Sequence, residues 1–542
     1  MIATRGRIWS VGLLVLLGTA PGGAQSPTFD VARLLAGGPP LQAHRVFDLT
    51  VDDAIERALD RNLDIAVERL NPQLRDLSIA EANAAFMPNL NSSFDLGRSV
   101  TPSRSQLDGR LSQLPVNTET GAAGVGIEQA TRWHGGRYTL DWDNGRTETN
   151  NVFFSYNPSF RSFVALGYTQ PLLRGRRIDA PRRQLLVSQL NRDISDIDLR
   201  ETVTNTVAEV RRAYWELVYA KASVDVQLQA LELAEQLVRD NRARVEIGTL
   251  APIDIVQAQS EAAQRRQAVA EAQQNLRTAE LVLKQLIVGG TDDEVWDAEI
   301  NTVDRPVLDL GPVDVDRAIR TALDARTDIS RTRRQEEIND VTLRNLANDT
   351  LPSLDLVGSY RLQGQGGTRL VPQAFGDLPV LGGRTVDRIP GGYTDALAHL
   401  AGIDFPDWTV QLQLSYPLGQ SAQRAAHARA QLQIRQTRAQ LRQLELQIAT
   451  EVTNAAVQIE SVQERIDAAR AARELAEEQL AAEESKFEVG TSTNFFVVQA
   501  QRDLATARDS ELRAILDYQN AVIEFERVQQ TSLSRAGISI IQ

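Results

Sequence analysis

The stretch VDDAIERALD at residues 51–60 returns as VDRAIRTALD at residues 315–324, which lie 264 positions later. The same shift continues without a gap as far as Pro88 and Pro352. Two copies of one segment in one register indicate an internal duplication. This duplication predicts a fold made of two similar halves.

A second match nearer the C-terminus shows how far the duplication extends. GTLAPIDIVQAQ at 248–259 returns as GTSTNFFVVQAQ at 490–501, a shift of 242 positions, so an insertion or deletion of 22 positions separates the two matches. A unit of about 240 residues is far longer than a solenoid repeat, which predicts a pseudo-symmetric pair of large repeats. The predicted parts are a first repeat at 46–288, a linker at 289–313, a second repeat at 314–530 and a C-terminal tail at 531–542.

The N-terminus has the features of a secretory signal peptide. Arg5 and Arg7 precede an apolar run at 8–17, and small residues allow cleavage after Ala24. The apolar run is far shorter than the ~20 residues of a membrane-spanning helix, and the chain has no cysteine that could carry a lipid anchor. We predict an exported protein with a cleaved signal at 1–24 and an N-terminal segment at 25–45. Any part of this protein that crosses a membrane must then consist of β-strands.

Composition argues against several classes of function. The absence of cysteine rules out a disulfide framework and thiolate metal sites. The net charge of −13 disfavours nucleic acid as a partner. The four histidines, at 44, 134, 399 and 427, are dispersed, and the sequence has no HExxH, GxSxG or phosphate-binding glycine loop. We therefore expect no enzyme, no cofactor and no metal site.

Two long helices are predicted at symmetric positions. Residues 182–247 contain no Gly or Pro and carry apolar residues at seven-residue spacing, which is typical of supercoiled helices: Val203, Val210, Leu217, Val224, Leu231, Val238 and Val245. Residues 422–487 repeat the pattern with Val452, Ile459, Ile466, Leu480 and Phe487. Helices of ~66 residues extend about 100 Å. Shorter helices at about 51–86, 252–287, 315–350 and 494–530 complete a long hairpin in each repeat, with tips at Gly248 and Gly490.

Strands are predicted where the helices stop. WTVQLQLSY at 408–416 alternates apolar and polar residues between two aromatic ends, the pattern of a transmembrane barrel strand. Weaker alternation occurs at 90–98, 163–170 and 354–361. Strands of a soluble sandwich alternate in the same way, so the argument depends on four such strands at symmetric positions in an exported chain. Four strands cannot close a barrel in lipid, so the chain must then oligomerise. Within the loop at 99–162, RYTLDW at 137–142 suggests an additional hairpin.

The ordered motifs resemble the TolC-like outer-membrane efflux family, the outer membrane factors, over about residues 46–530. The resemblance is carried by LTV at 49–51, AAFMP at 84–88, QPL at 170–172 and GT at 248–249, followed by the second copy of this order. It implies a mostly α fold with a transmembrane β-barrel, built from duplicated coiled-coil hairpins and four strands per chain. It also implies a homotrimer with a 12-stranded barrel and an α-helical periplasmic tunnel. The implied function is a passive outer-membrane duct of a tripartite efflux pump or type I secretion system.

The resemblance also implies partners and sites. The partners are a periplasmic adaptor, or membrane fusion, protein, an inner-membrane transporter and outer-membrane lipid. Adaptor docking falls on the hairpin tips, namely Gly248, Thr249, Leu250, Ala251, Gly490, Thr491, Ser492 and Thr493. The periplasmic entrance falls on Asp254, Phe496 and Gln499.

The entrance departs from the best-known member of the family. That member has two acidic residues at the positions of Phe496 and Gln499, and an arginine where this chain has Ser492, so its acidic ring and its salt bridge cannot form here. Phe496 either lines an apolar constriction or packs within the helical core; both readings stay open at this point.

A periplasmic coiled-coil adaptor or structural spacer is the alternative function. Such a protein shares the signal peptide and the long helical hairpins. It does not need alternating strands at symmetric positions, and adaptors typically surround one hairpin with small β-domains. The paired strands therefore favour the duct over the adaptor.

Overall fold

A computed structural model of the chain describes residues 46–102, 115–151, 153–308, 311–372, 374–375, 378–379, 385–419 and 421–535. The predicted signal peptide, the N-terminal segment and residues 536–542 of the predicted tail lie outside the described residues.

The long helices confirm the predicted framework. Helix α4 (Ala180–Glu246) and helix α9 (Ala422–Glu488) have 67 residues each, which corresponds to about 100 Å. Helix α5 (Pro252–Ile287) packs along α4, and helix α10 (Asn494–Gln529) packs along α9. Each repeat therefore contains the long hairpin that the duplication predicts.

The helices that precede the strands are interrupted, which corrects the two continuous helices predicted at 51–86 and 315–350. In the first repeat the segments are α1 (Val51–Arg61), α2 (Leu63–Glu68) and α3 (Leu70–Ala84). Asn62 separates α1 from α2 because its backbone is extended and its Oδ1 accepts hydrogen bonds from two backbone amides of α2, at 2.9 and 3.1 Å. Its Nδ2 donates to the carbonyl oxygen of Leu286 at 3.0 Å.

The second repeat breaks at the equivalent position. Arg326, 264 positions after Asn62, has the same extended backbone and separates α6 (Val315–Ala325) from α7 (Thr327–Asp349). Its guanidinium pairs with Asp328 at 2.6 Å and with Glu451 at 2.7 Å. The kink is thus common to both repeats, while the chemistry that holds it differs.

The predicted heptad rows form much of the core. Val203, Val210, Leu217 and Val224 are buried, as are all five residues of the second row. Toward the tip of α4 the row is only half-buried, and Leu237 and Asn241 occupy the buried face instead. The burial changes there because Leu237 packs against Phe487 and Val497 of the second hairpin.

A two-stranded parallel sheet fastens the linker to the first repeat. Strand β1 (Val46–Leu49) pairs with strand β6 (Glu299–Thr302). The hydroxyl of the buried Tyr214 donates to the carbonyl oxygen of Leu49 (3.0 Å) and lies 3.1 Å from Oδ2 of Asp304. Burial raises the pKa of Tyr214 to about 12. The phenol is therefore neutral at ordinary pH.

The main sheet begins with an antiparallel meander. Its strands are β2 (Asn89–Thr101), β3 (Val116–Ala130), β4 (Arg137–Thr149) and β5 (Tyr156–Pro171), and each pairs with the next. The sheet continues from β5 to strand β7 (Ser353–Pro372). All four predicted strands are present, and the suggested hairpin at 137–142 is part of β4.

The far side of β7 is shared by two strands. β11 (Phe405–Ser415) pairs with residues 353–363 of β7, and β10 (Thr385–Ile389) pairs with residues 369–372. The described part of the sheet is therefore six strands wide, in the order β2-β3-β4-β5-β7-β11, and β10 takes the place of β11 further along β7. This corrects the expectation of four strands per chain. The other elements are β8 (Ala374–Phe375), paired with β9 (Leu378–Pro379), and the helices α8 (Tyr393–Gly402) and α11 (Ser532–Arg535).

Helix α8 lies directly on β7. A Cβ atom at Gly364 would stand 1.9 Å from the carbonyl oxygen of Ala396, and one at Gly366 would stand 2.1 Å from that of Gly392. Only glycine allows the helix to approach the strand so closely. No helix in the described part of the chain is both long and apolar enough to cross a membrane.

Candidate functional sites in the sheet and at the hairpin tips

The main sheet has one apolar and one polar face. On β11, Trp408, Val410, Leu412 and Leu414 are 62–70% exposed. The register places apolar side chains of the other strands on the same face: Leu90, Phe94, Leu96, Val125, Ile127, Leu140, Trp142, Val164, Leu166, Leu354, Leu356 and Tyr360. A contiguous exposed apolar surface of this extent is typical of contact with lipid or protein.

The opposite face carries polar and small residues. Aligned side chains there include Asp141, Arg361 and Asp407, which lie in one row across β4, β7 and β11. Gly124 and Gly126 of β3 lie on this face beneath the carboxylates of Asp143 and Asp141. The sheet therefore separates an apolar surface from a hydrated one, as the wall of a water-filled pore does.

The apolar face ends in charged residues at the end of the sheet away from the helices. Arg98 of β2 lies opposite Glu119 of β3, and Nε of Arg98 is 3.7 Å from Oε1 of Glu119. On β4, Arg146 pairs with Glu148 at 2.5 Å. These residues follow the last apolar rows and mark the height at which the surface becomes polar.

The two hairpin tips have the same turn geometry. Gly248 and Gly490 have φ of 79° and 76°, the left-handed conformation that favours glycine. After each glycine, the threonine amide donates to a carbonyl five residues earlier at 2.9 Å, and the threonine hydroxyl donates to the same carbonyl at 3.0 and 3.1 Å. The tip residues Thr249 and Thr491 therefore repeat one hydrogen-bonding motif, which ends α4 and α9 in the same way.

The predicted docking residues lie together at this end of the molecule. Ala251 and Thr493 precede α5 and α10 and are exposed. Leu250 packs against the cluster of Leu237, Ala258, Phe487 and Val497, which joins the two tips. Ser492 donates through its hydroxyl to Oε2 of Glu483 at 2.6 Å. The tips thus form one surface composed of both repeats.

A buried asparagine pair links the two hairpins behind this surface. Asn241 is 0% exposed and Asn494 is 1% exposed. Nδ2 of Asn241 donates to Oδ1 of Asn494 at 2.8 Å, and both amides approach the backbone carbonyl of Asp254 at 3.4 Å. Sequence reasoning missed this pair because a polar residue inside a helical pattern is usually exposed. The duplication offers only a weak hint, since the equivalent of Asn241 is Glu483.

Charged contacts support the tips on both hairpins. Glu261 is 2% exposed and accepts hydrogen bonds from Nε of Arg265 and Nε of Arg502, each at 2.7 Å. The hydrogen bonds from Lys486 and Ser492 hold the pKa of Glu483 below its usual value. Arg244 places its guanidinium 4.4 Å from the centre of the Phe487 ring and donates to the Phe487 carbonyl oxygen at 3.0 Å.

The predicted entrance residues fall into two environments. Phe496 is 54% exposed, and its ring lies edge-on to that of Phe495 with the ring centres 5.6 Å apart, so Phe496 is not buried in the helical core of the single chain. Gln499, one turn further along α10, is exposed and donates to Oδ1 of Asp503 at 2.8 Å. Asp254 lies on α5 and is half-buried. The sequence reasoning did not identify Asp503, which puts an acidic group one turn beyond Gln499.

Comparison with known proteins agrees with this architecture. The family model described as outer membrane efflux protein matches residues 54–289 and 348–528. The outer-membrane channel OprN has a similar structure, with 16% identity, a TM-score of 0.62, and coverage of 88% of this chain and 89% of that chain. The CmeC outer membrane channel of Campylobacter jejuni has 13% identity, a TM-score of 0.62, and coverage of 88% and 85%.

The outer membrane protein VceC of Vibrio cholerae has 15% identity and a TM-score of 0.60, with coverage of 88% of this chain and 95% of that chain. At these identities the similarity shows the fold alone. No curated protein matches the sequence.

Proposed function

Because this chain belongs to the outer membrane efflux protein family, we propose that it is the outer-membrane channel of a tripartite efflux pump or a type I secretion system. Three copies form a passive duct that carries substrates from the periplasm or an inner-membrane transporter to the exterior. Its partners are that transporter and a periplasmic adaptor protein, and the chain itself catalyses no reaction.

The observation that carries the proposal is a two-faced sheet whose outer strands, β2 and β11, each pair on one side only among the residues that the structure describes. The edge strands β2 and β11 are exposed along their whole length. Unpaired backbone groups are costly in lipid, so such a sheet must close by pairing with further copies. Three copies joined edge to edge place the apolar face outward and the polar face around a pore. The helices then extend about 100 Å into the periplasm from that barrel.

The tips supply the adaptor-docking surface in this proposal. Their polar groups are partly held in the turns themselves, while Ala251 and Thr493 stay exposed on both hairpins. Adjacent apolar residues, Ile247 and Val489, are 74% and 75% exposed. An exposed apolar patch with a polar rim is suited to binding another protein.

We place the periplasmic entrance at Asp254, Phe496 and Gln499. In a trimer, three exposed Phe496 side chains form an apolar ring, and an apolar constriction can close a pore by excluding water. Gln499 and Asp503 follow on the same helix and make the next ring polar. This entrance differs in chemistry from a ring of carboxylates at the same level.

Cell fractionation combined with gel mobility tests the channel assignment. We expect the mature chain in the outer membrane, as a trimer-sized species that migrates faster after heating. A soluble periplasmic monomer or dimer overturns the proposal and favours a periplasmic adaptor or spacer instead.

Substitutions at the tips test docking separately. Ala251→Arg and Thr493→Arg are expected to abolish co-purification of the adaptor in the native host and to leave the trimer intact. Gln273→Arg, on the exposed side of α5 remote from the tips, is the matched control. Unchanged adaptor recovery with both tip variants contradicts docking at this surface.

A further inference from the structure

Strands β3 and β4 are full members of the main sheet. They have 15 and 13 residues, compared with 13 for β2 and 11 for β11. The pairing of β2 with β3, of β3 with β4 and of β4 with β5 runs without a register shift. The two strands therefore extend over the same height as the strands on either side of them.

Their side chains alternate as those of the outer strands do. Val125 and Ile127 of β3 and Leu140 and Trp142 of β4 lie on the apolar face and are 37–46% exposed. Their neighbours on the other face are Gly124, Gly126, Asp141 and Asp143. A hairpin extending into water beyond the membrane has no need of an exposed apolar row that is continuous with β2 and β5.

We propose that β3 and β4 cross the membrane, so that each chain contributes six spanning strands and a trimer closes a barrel of eighteen. The count of six is β2, β3, β4, β5, β7 and β11. The inference rests on the trimer of the proposed function and gives that trimer a wider outlet. The partner along each open edge is a second copy of this chain, with β2 of one copy beside β11 of the next.

The strand number determines the width of the outlet. With a spacing of about 4.8 Å between strands and a tilt of about 40°, eighteen strands enclose a backbone diameter of about 36 Å, whereas twelve enclose about 24 Å. Side chains occupy about 5 Å on each side, which leaves about 26 Å and about 14 Å. Eighteen strands are in the range of water-filled porins. The wider outlet suits a bulky hydrated cargo, for which a polar, glycine-containing lining presents few obstacles.

Cysteine accessibility distinguishes spanning strands from an external hairpin. The natural chain has no cysteine, so the labelling of each single-cysteine variant comes from the introduced thiol alone. Thr139→Cys and Leu140→Cys place a thiol on the polar and the apolar face of β4. Gln411→Cys and Leu412→Cys are the matched pair on β11. The probe is a charged, membrane-impermeant methanethiosulfonate applied to the full-length mature protein in lipid nanodiscs.

We expect Thr139→Cys to react at the rate of Gln411→Cys. Leu140→Cys should react at least about tenfold more slowly than Thr139→Cys, because the reactive thiolate does not form in apolar surroundings. Leu412→Cys should be slower than Gln411→Cys by the same factor. Fast reaction of Leu140→Cys with protection of Leu412→Cys overturns the inference and leaves a barrel of twelve strands. Fast reaction of Leu412→Cys as well contradicts the membrane sheet of the proposed function itself.

A direct count supplements the labelling. Cryo-electron microscopy of the trimer in nanodiscs should show eighteen strands in a section through the bilayer. Twelve strands in that section, with β3 and β4 outside it, refute the inference while the trimeric channel stands.

Discussion

The buried asparagine pair at the tips is expected to couple the opening of the two hairpins. A hydrogen bond between neutral groups contributes about 1 kcal/mol net, but a buried polar atom that loses its partner costs about 1–3 kcal/mol. Asn241→Ala removes the donor to Oδ1 of Asn494, which is 1% exposed. Oδ1 of Asn241 already lacks a partner among the described residues, so its removal breaks no further hydrogen bond. We therefore expect a loss of about 2 kcal/mol in the local opening free energy of the tips.

Hydrogen exchange measured by mass spectrometry on the intact protein tests this value. A loss of about 2 kcal/mol accelerates exchange of the tip amides about 30-fold, in peptides from both hairpins. Asn494→Ala should act on the same amides, and the double variant should cost less than the sum of the two by about 1 kcal/mol, since both remove one interaction. Val238→Ala, a half-buried neighbour, controls for lost packing. Additive effects, or acceleration confined to one hairpin, refute the coupling.

Three further substitutions test other parts of the framework. Gly248→Ala should destabilise the tip by about 1–2 kcal/mol because alanine is strained at φ 79°, seen as faster exchange at 244–252, whereas unchanged exchange contradicts the strain. Asn62→Ala should cost about 1–2 kcal/mol by removing the cap of α2, measured as lower stability to denaturant; no change means that the cap contributes nothing. The raised pKa of Tyr214, about 12, stabilises the fold fully below pH 10, and this contribution of roughly 2–3 kcal/mol is lost as pH rises through 12; alkaline titration of Tyr214→Phe should lack this loss, and identical profiles for both proteins refute it.

Helical periodicity predicted the framework well, and for a physical reason. A helix of 67 residues leaves a long, regular apolar row, and the row of Val452, Ile459 and Ile466 is buried as expected. The kinks at Asn62 and Arg326 were not predictable by the same reasoning. Neither position contains Gly or Pro, and the extended backbone there depends on contacts with α5 and α9 that are remote in the sequence.

The strands were predictable only in part. β11 has perfect alternation and was found directly, whereas β3 consists largely of Gly, Ala and Thr between its few large apolar residues. Small residues give a weak alternation signal, so β3 emerges from its pairing with β2 and β4. At the tips, the turn glycines followed from the duplication. The exposure of Phe496 and the link between Asn241 and Asn494 required the packing of two hairpins, which no local pattern contains.

The additional strands explain how one repeat could enlarge the sheet without disturbing the helices. β2 leaves the helical end and β5 returns to it, so α4 must start at that end. One inserted strand would reverse the direction of β5, and α4 would then start at the end of the sheet away from the other helices. Two inserted strands, β3 and β4, restore the direction, and the paired register shows that they fit between β2 and β5 without a shift. An insertion of two strands is therefore the smallest one that widens the sheet and leaves both long hairpins in place.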